Sequence, residues 1–318
     1  MTAPNIGEIA ATTIENYSGK MADNISTHNP LLNEVFMRGN ITPATGGTKI
    51  RQELMYAENG TFKWYSGLET LDVSGSDVLD AADFDWKQAN NNVVISGLDE
   101  IKNSGKEAIH NIVKSRIKVA EITAKNQIAA SVLSDGTGSD GKEIGGLQLL
   151  IADDPTSGSV GGISRVSNTW WRNQVFDYSS EGGGNASASN IQAGMNILWR
   201  RCERNADQPD IILMDDLYYG YYETSLQTIH RITTDTSADA GFTSLMYKGK
   251  KVYYDSNSPA NHMYMINLDY LYFRPHPKRN FSMMKEKNSI NQDAYVIPLF
   301  WAGNLTLANA SLQGVGKN

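Results

Sequence analysis

The stretch 98–133 places the strongest constraint on the fold. Its apolar residues Ile101, Ile109, Ile112, Val113, Ile117, Ala120, Ala124 and Ile128 recur mostly at steps of three and four, the spacing that lines one face of an α-helix. Ser96 and Asp99 stand where a helix start is capped. At ~1.5 Å per residue the helix is ~50 Å long, far beyond the ~11 to 12 residues of an average helix. Gly105 costs about 1 kcal/mol relative to Ala and predicts a bend or a close approach there. The helix stops at "DGTGSDGKEIGGLQLL", 135–150, where Gly136 and Gly138 are C-cap candidates and Gly145-Gly146 precede a new apolar piece.

Segments on either side read differently. Residues 1–47 are mixed, with a weakly amphipathic piece over 6–21 and a turn or helix-start signal at Asn29-Pro30; they predict an arm with one or two short helices. From Thr48, "TKIRQELMYAENGTFKWYSG" holds two strand-like runs around Asn59-Gly60, which predicts a β-hairpin. The acid-rich, turn-rich continuation to residue 97 has strand signals only over 84–86 and 93–95. So little apolar periodicity cannot bury the segment, which is expected to project and find partners elsewhere. Beyond the glycines, "SASNIQAGMNILWRRCERN" reads as a helix, "PDIILMDD" as a buried strand, and "LYYGYYETSLQTIHRI" as a second helix. Strand-like runs follow, and the last 25 residues alternate like a sheet edge before a polar tail.

Composition excludes several classes. With 318 residues, 40% hydrophobic, the chain can bury a sizeable core as one large or two ordinary domains. A net charge of −7 comes from interspersed acids, with no Lys/Arg cluster to neutralise a run of phosphates, which argues against sequence-specific nucleic-acid binding. The single Cys202 rules out an internal disulfide and any multi-cysteine metal site, fits a reducing cytoplasm, and reads as a buried small hydrophobe. No run approaches the ~18 to 20 apolar residues of a bilayer span and no export signal opens the chain, so a soluble protein is expected.

Little catalytic chemistry is visible. The 135–150 stretch fails as a nucleotide loop because Glu143 follows Gly141-Lys142 where Ser or Thr is needed. It also fails as a calcium loop, since Thr137 and Ser139 follow Asp135 and no Glu closes a twelve-residue ring. The histidines His28, His110, His230, His262 and His276 are scattered, without an i, i+4 pair. Asp215-Asp216 ends the buried strand, where α/β enzymes often hold carboxylates; helix capping is the favoured alternative. Trp170, Trp171 and Arg172 form either a sugar or cation-π platform or a buried aromatic anchor at a subunit contact. No catalytic, cofactor-binding or metal-ligating residue is assigned.

One order of elements accommodates the arm, projecting hairpin, long helix, glycine-rich joint, α/β region and strand-rich return. "VISGLDEIKNSGKEAIHNIVKSRI" resembles the spine helix of tailed-phage major capsid proteins with the Hong Kong 97 fold, and "LSDGTGSDGKEIGGLQLLI" resembles that family's joint into the axial domain. "MYKGKKVYYDSNSPANHMYMINLDYLYF" and "WAGNLTLANASLQGV" are similar to its later strands. The resemblance implies an α+β chain divided as an N-terminal arm 1–47, an extended loop 48–97, a peripheral domain of 98–134 with the return strands 262–318, and an axial domain 135–261. It implies a non-enzymatic subunit that assembles with copies of itself, as pentamers and hexamers, into the head enclosing double-stranded DNA, formed in a host bacterial cytoplasm. Phe62, Lys63, Trp64, Tyr65 and Leu68, with Trp170, Trp171 and Arg172, are then the inter-subunit contact candidates. Since 47 residues precede the loop, a separate scaffolding protein is the implied partner, with a portal and possible decoration proteins and no membrane. Lys63 is also the candidate for a covalent cross-link found in some members, its default being a solvated lysine. An encapsulin-type compartment shell is the alternative within the fold, and an α/β hydrolase using Asp215 and Asp216 the alternative outside it.

Overall fold

The computed structural model describes residues 29–98, 106–226, 245–289 and 291–318, with the side chains of 106–115 left aside. Helix α1 (Pro30–Met37) starts with Pro30 at its first turn and Asn29 as N-cap, whose side-chain oxygen accepts from the Leu32 N–H at 3.0 Å. Strands β1 (Ile50–Met55) and β2 (Leu79–Phe84) form an antiparallel ribbon, followed by β3 (Lys87–Ser96) and helix α2 (Lys106–Leu133). A small hairpin, β4 (Ser159–Val160) with β5 (Ile163–Ser164), leads to β6 (Gln174–Asp177), helix α3 (Ile191–Cys202), β7 (Ile211–Met214) and helix α4 (Asp216–Leu226). The return comprises β8 (Leu245–Tyr247), β9 (Lys250–Tyr254), β10 (His262–Ile266), β11 (Leu271–Pro275), β12 (Ser282–Met283), β13 (Lys287–Asn288), β14 (Ala294–Leu307) and β15 (Gly314–Lys317).

Two sheets organise these elements. The first has the order β6-β15-β10-β7-β9-β8, and all four residues of β7 are buried. Its alternating side chains explain why this strand reads as a continuous apolar run: Ile212 and Met214 pack with Met195, Leu198 and Trp199 of α3, while Ile211 and Leu213 join the cluster holding Leu31 and Val35 of α1 and Leu147. The second sheet is built on β14, whose residues 294–303 pair with β3 on one edge, while β11, β12 and β13 share its other edge. Helix α2, about 42 Å long, packs Ile117 and Ala120 onto Val93, Ile95 and Ile297 of this sheet.

Two sequence expectations change. The ribbon partner of β1 is β2, not the 61–65 run, so 56–78 forms one long connection without regular strands. Asn59-Gly60 remains a turn, with the Asn59 side-chain oxygen accepting from the Thr61 N–H at 3.1 Å, but strand partnership depends on a register set across many residues, which a local turn signal does not report. A boundary at 262 also divides the first sheet, because β10 pairs antiparallel with β7 and β15 pairs parallel with β6. The expectations for residues 1–28, Asp99, Ile101, Gly105 and His230, and for the side chains of Ile109, His110, Ile112 and Val113, lie outside the described residues.

The 135–150 stretch folds as a joint. The Asp135 carboxylate accepts from the Thr137 N–H and hydroxyl at 2.9 and 2.8 Å, which lowers its pKa, and the chain then reverses through left-handed Ser139, Asp140 and Gly141. Gln148 Nε2 donates to the Leu133 carbonyl at 2.8 Å, satisfying an otherwise unpaired group at the end of α2. Gly146 lies against that same end: a Cβ there would stand 2.5 to 2.7 Å from the carbonyl oxygens of Ser131, Ser134 and Val132. At Gly145 it would meet only the tip of the Leu149 side chain, at 2.9 Å. Gly146→Ala is therefore expected to cost about 3 kcal/mol in urea unfolding, through overpacking against backbone, and Gly145→Ala clearly less.

Candidate assembly surfaces

The root of the 56–78 connection is tied down and its outer part is not. Asp83 donates its N–H to the Gly161 carbonyl at 2.8 Å, Arg51 pairs with Asp83 at 2.8 Å, and the Tyr56 ring stacks on Trp170 at 5.1 Å. Farther out, Phe62, Trp64, Tyr65, Leu68, Leu71 and Val73 are all exposed, Trp64 to 90%. Phe62 and Trp64 touch edge to face at 5.6 Å, and Lys63 Nζ donates to the Thr70 carbonyl of the same connection at 2.6 Å. A row of large apolar side chains left uncovered by the described residues is the surface signature of a contact site.

The Trp170-Trp171-Arg172 group is placed differently. Trp171 is 1% exposed, lies in the main core and donates its indole N–H to the Val160 carbonyl at 3.0 Å. It has no surface to offer a neighbour, which corrects its place among the contact candidates. Periodicity carries no signal for this fate, because the Trp pair sits in a single 3-10 turn that points one ring inward and leaves the other half-covered. Trp170 holds the loop root through Tyr56, and Arg172 donates to the carbonyls of Arg165 and Val166 at 2.7 and 2.8 Å, knitting its own loop.

The carboxylates that end β7 are structural as well. Asp215 is buried; one oxygen accepts from the Tyr218 N–H at 3.0 Å and the other from the Asn261 N–H at 2.7 Å, while Asp216 is exposed. The first is a helix cap fastened to the turn before β10, and the two do not converge on a common point. Among the described residues no group of three or more His, Cys, Asp or Glu is placed to hold a metal ion, and no helix is long and apolar enough to cross a membrane.

Two polar links escape any sequence pattern because their partners are far apart in the chain. Asn304 of β14 accepts from the Gly145 N–H at 3.2 Å and donates to the Asp85 carbonyl at 2.8 Å, joining the glycine joint to the loop root. His262, at the start of β10, faces the Asp153 carboxylate through Nε2 at 2.9 Å and the Ala260 carbonyl through Nδ1 at 2.7 Å. Both partners only accept, so both contacts are made only by the doubly protonated ring. Burial opposes that charge, the hydrogen bonds and the charges of Asp153 and Asp215 outweigh it, and the His262 pKa is raised from 6.5.

Stability should separate the two tryptophans: Trp171→Ala is expected to cost about 3 to 5 kcal/mol, and Trp64→Ala no more than about 0.5 kcal/mol, in denaturant unfolding of the unassembled chain. For His262 the folded pKa lies above the unfolded value, so its stabilisation is full below pH 6.5 and is lost as pH rises through the folded pKa. The stability difference between wild type and His262→Gln is expected to shrink over that window, read from unfolding curves at stepped pH.

No protein-family model and no curated protein matches the chain. Solved structures do. The chain is similar to the subunit of the cyanophage A-1(L) capsid, with 14% identity, a TM-score of 0.60, and 88% of this chain and 90% of that chain covered. It is similar to the capsid of a native GTA particle at 11% identity and TM-score 0.59, covering 89% of each chain. It is also similar to the SrpI encapsulin of Synechococcus elongatus PCC 7942 at 10% identity and TM-score 0.57, covering 89% of this chain and 86% of that chain. Similar to these structures over nearly nine-tenths of its length, this chain has the Hong Kong 97 fold.

Proposed function

We propose that the chain is a major capsid protein, a structural subunit that assembles with copies of itself, as pentamers and hexamers, into the icosahedral head of a tailed phage. The observation that carries this reading is the exposed apolar row on the 56–78 connection, presented by a chain with a capsid-subunit fold. Such a row gains its burial only from another molecule. Each contact is weak alone, and closed symmetry multiplies it across the shell.

The charge balance supports a container for double-stranded DNA. A wall with net charge −7 binds phosphates weakly and leaves a packaged genome mobile. In this reading the shell assembles in the host bacterial cytoplasm with a separate scaffolding protein, a portal and possible decoration proteins, and the mature chain resides in the virion. The similarity to an encapsulin supports a second reading within the fold, a protein compartment that encloses other cargo.

Negative-stain electron microscopy with size-exclusion chromatography tests the proposal. Closed shells, or pentamers and hexamers, are the expected result; a monomer or dimer that never assembles, even with a co-expressed scaffold, overturns it. The variant Phe62→Ala/Trp64→Ala is expected to remain a folded monomer and to form at least tenfold fewer particles, roughly the effect of losing 1.4 kcal/mol per contact.

A further inference from the structure

Asn59-Gly60 is the chain's single Asn-Gly pair, and both residues are exposed. The Asn59 side-chain oxygen accepts from three donors: the Thr61 N–H at 3.1 Å, the Thr61 hydroxyl at 2.8 Å and the Ser76 hydroxyl at 2.9 Å. An amide oxygen has two lone pairs, so three donors suit an oxygen bearing a full negative charge better than they suit the amide itself. Fixed donors around an oxygen on which charge develops stabilise the tetrahedral adduct formed at a carbonyl.

A nucleophile lies beside that carbonyl. The bond from the Thr61 N–H folds the Asn59 side chain over the intervening peptide, and so over the Gly60 nitrogen. The Gly60 N–H meets no acceptor among the described residues, and the space where a Cβ would stand is open, which leaves the nitrogen accessible to water. Nucleophile and carbonyl are thereby held in one turn. Two Asn-Ser pairs lack this arrangement. At Asn257-Ser258 the Ser258 N–H is engaged by the Asp255 carbonyl at 3.0 Å, and at Asn288-Ser289 the Ser289 N–H donates to the Ala294 carbonyl at 2.9 Å.

We propose that Asn59 is a self-modification site, at which the Gly60 nitrogen closes on the Asn59 side-chain carbonyl and converts the asparagine to aspartate and isoaspartate. Water takes the Gly60 amide proton, the nitrogen forms a bond to Cγ, and the resulting oxyanion is held by Thr61 and Ser76. The Cγ–Nδ2 bond then breaks, Nδ2 gains a proton from water, and ammonia leaves behind a cyclic imide. A second water reopens the ring. Breaking the bond from the Gly60 nitrogen to Cγ gives aspartate; breaking its bond to the main-chain carbonyl carbon gives isoaspartate. Nothing is oxidised or reduced. Aspartate keeps an oxygen for all three donors, whereas isoaspartate routes the main chain through Cβ and draws the oxygen away, releasing the tie to Ser76 that joins the two ends of the 56–78 connection. The reaction needs only one chain and water, so it stands independently of the shell reading.

The test incubates the folded full chain at mildly alkaline pH and follows its asparagines by digestion and mass spectrometry, with isoaspartate and aspartate products separated by chromatography. Asn59 is expected to convert to both products while Asn257 and Asn288 persist. Gly60→Ala places a methyl beside the attacking nitrogen without a clash in the fold, and is expected to slow conversion at least about tenfold. Thr61→Val/Ser76→Ala removes two hydroxyl donors and leaves the nucleophile untouched; it too is expected to slow conversion about tenfold or more. An unchanged Asn59, aspartate formed without isoaspartate, or conversion of Asn257 as fast as Asn59 overturns the proposal. So does a wild-type rate in either variant.

Discussion

Strand β14 is the interaction on which the rest of the structure depends. Over residues 294–303 it supplies β3 with every ladder partner that strand has among the described residues, and its opposite edge collects three short strands, two of them only two residues long, that are not stable in isolation. Helix α2 rests on this sheet through Ile117 and Ala120, and the Asn304 side chain joins the sheet to both the glycine joint and the start of the projecting ribbon. Displacing β14 would therefore release the long helix, the joint and the loop root together.

A second principle is the use of carboxylates as fasteners. Asp135, Asp154, Asp177, Asp215 and Asp255 each accept a backbone N–H from two or three residues ahead, closing turns or starting helices. For Asp135 the Thr137 N–H, and for Asp154 and Asp177 the hydroxyls of Thr156 and Ser179 before their N–H groups, hold the pKa below the ordinary carboxylate range. Asp135 and Asp215, which look like candidate chemistry in the sequence, are thus engaged in shaping turns and helix starts. Buried charge is handled similarly: Arg165, 3% exposed, donates to the carbonyls of Leu149 and Leu150 and has its pKa lowered by burial.

Apolar surface is distributed unevenly between the body and the projection. Trp171, Trp199, Phe176 and Tyr264 are buried, each contributing on the order of 25 cal/mol per Å² of apolar area removed from water. Phe62, Trp64 and Leu68 contribute nothing of this kind within one chain. The burial that stabilises the body within one chain therefore owes little to the exposed side chains of the 56–78 connection.

The sequence by itself determined the elements whose signals are local. The helix ending at Leu133, the buried strand 211–214, the helices 191–202 and 216–226 and the glycine joint all follow from side-chain spacing and from backbone conformations that few residues adopt. That the 56–78 connection lacks apolar burial was also legible, since its apolar residues follow no period that would line one face. Only the tertiary structure decided that β1 pairs with β2, that 262–266 and 314–317 join the first sheet, that Trp171 is core while Trp64 is bare, and that His262 meets Asp153. The physical reason is range. Helix and turn signals are set within a few residues, whereas strand partners, the inward or outward fate of an aromatic ring and ion pairs between distant residues are fixed by the register of chains that meet only when the molecule closes.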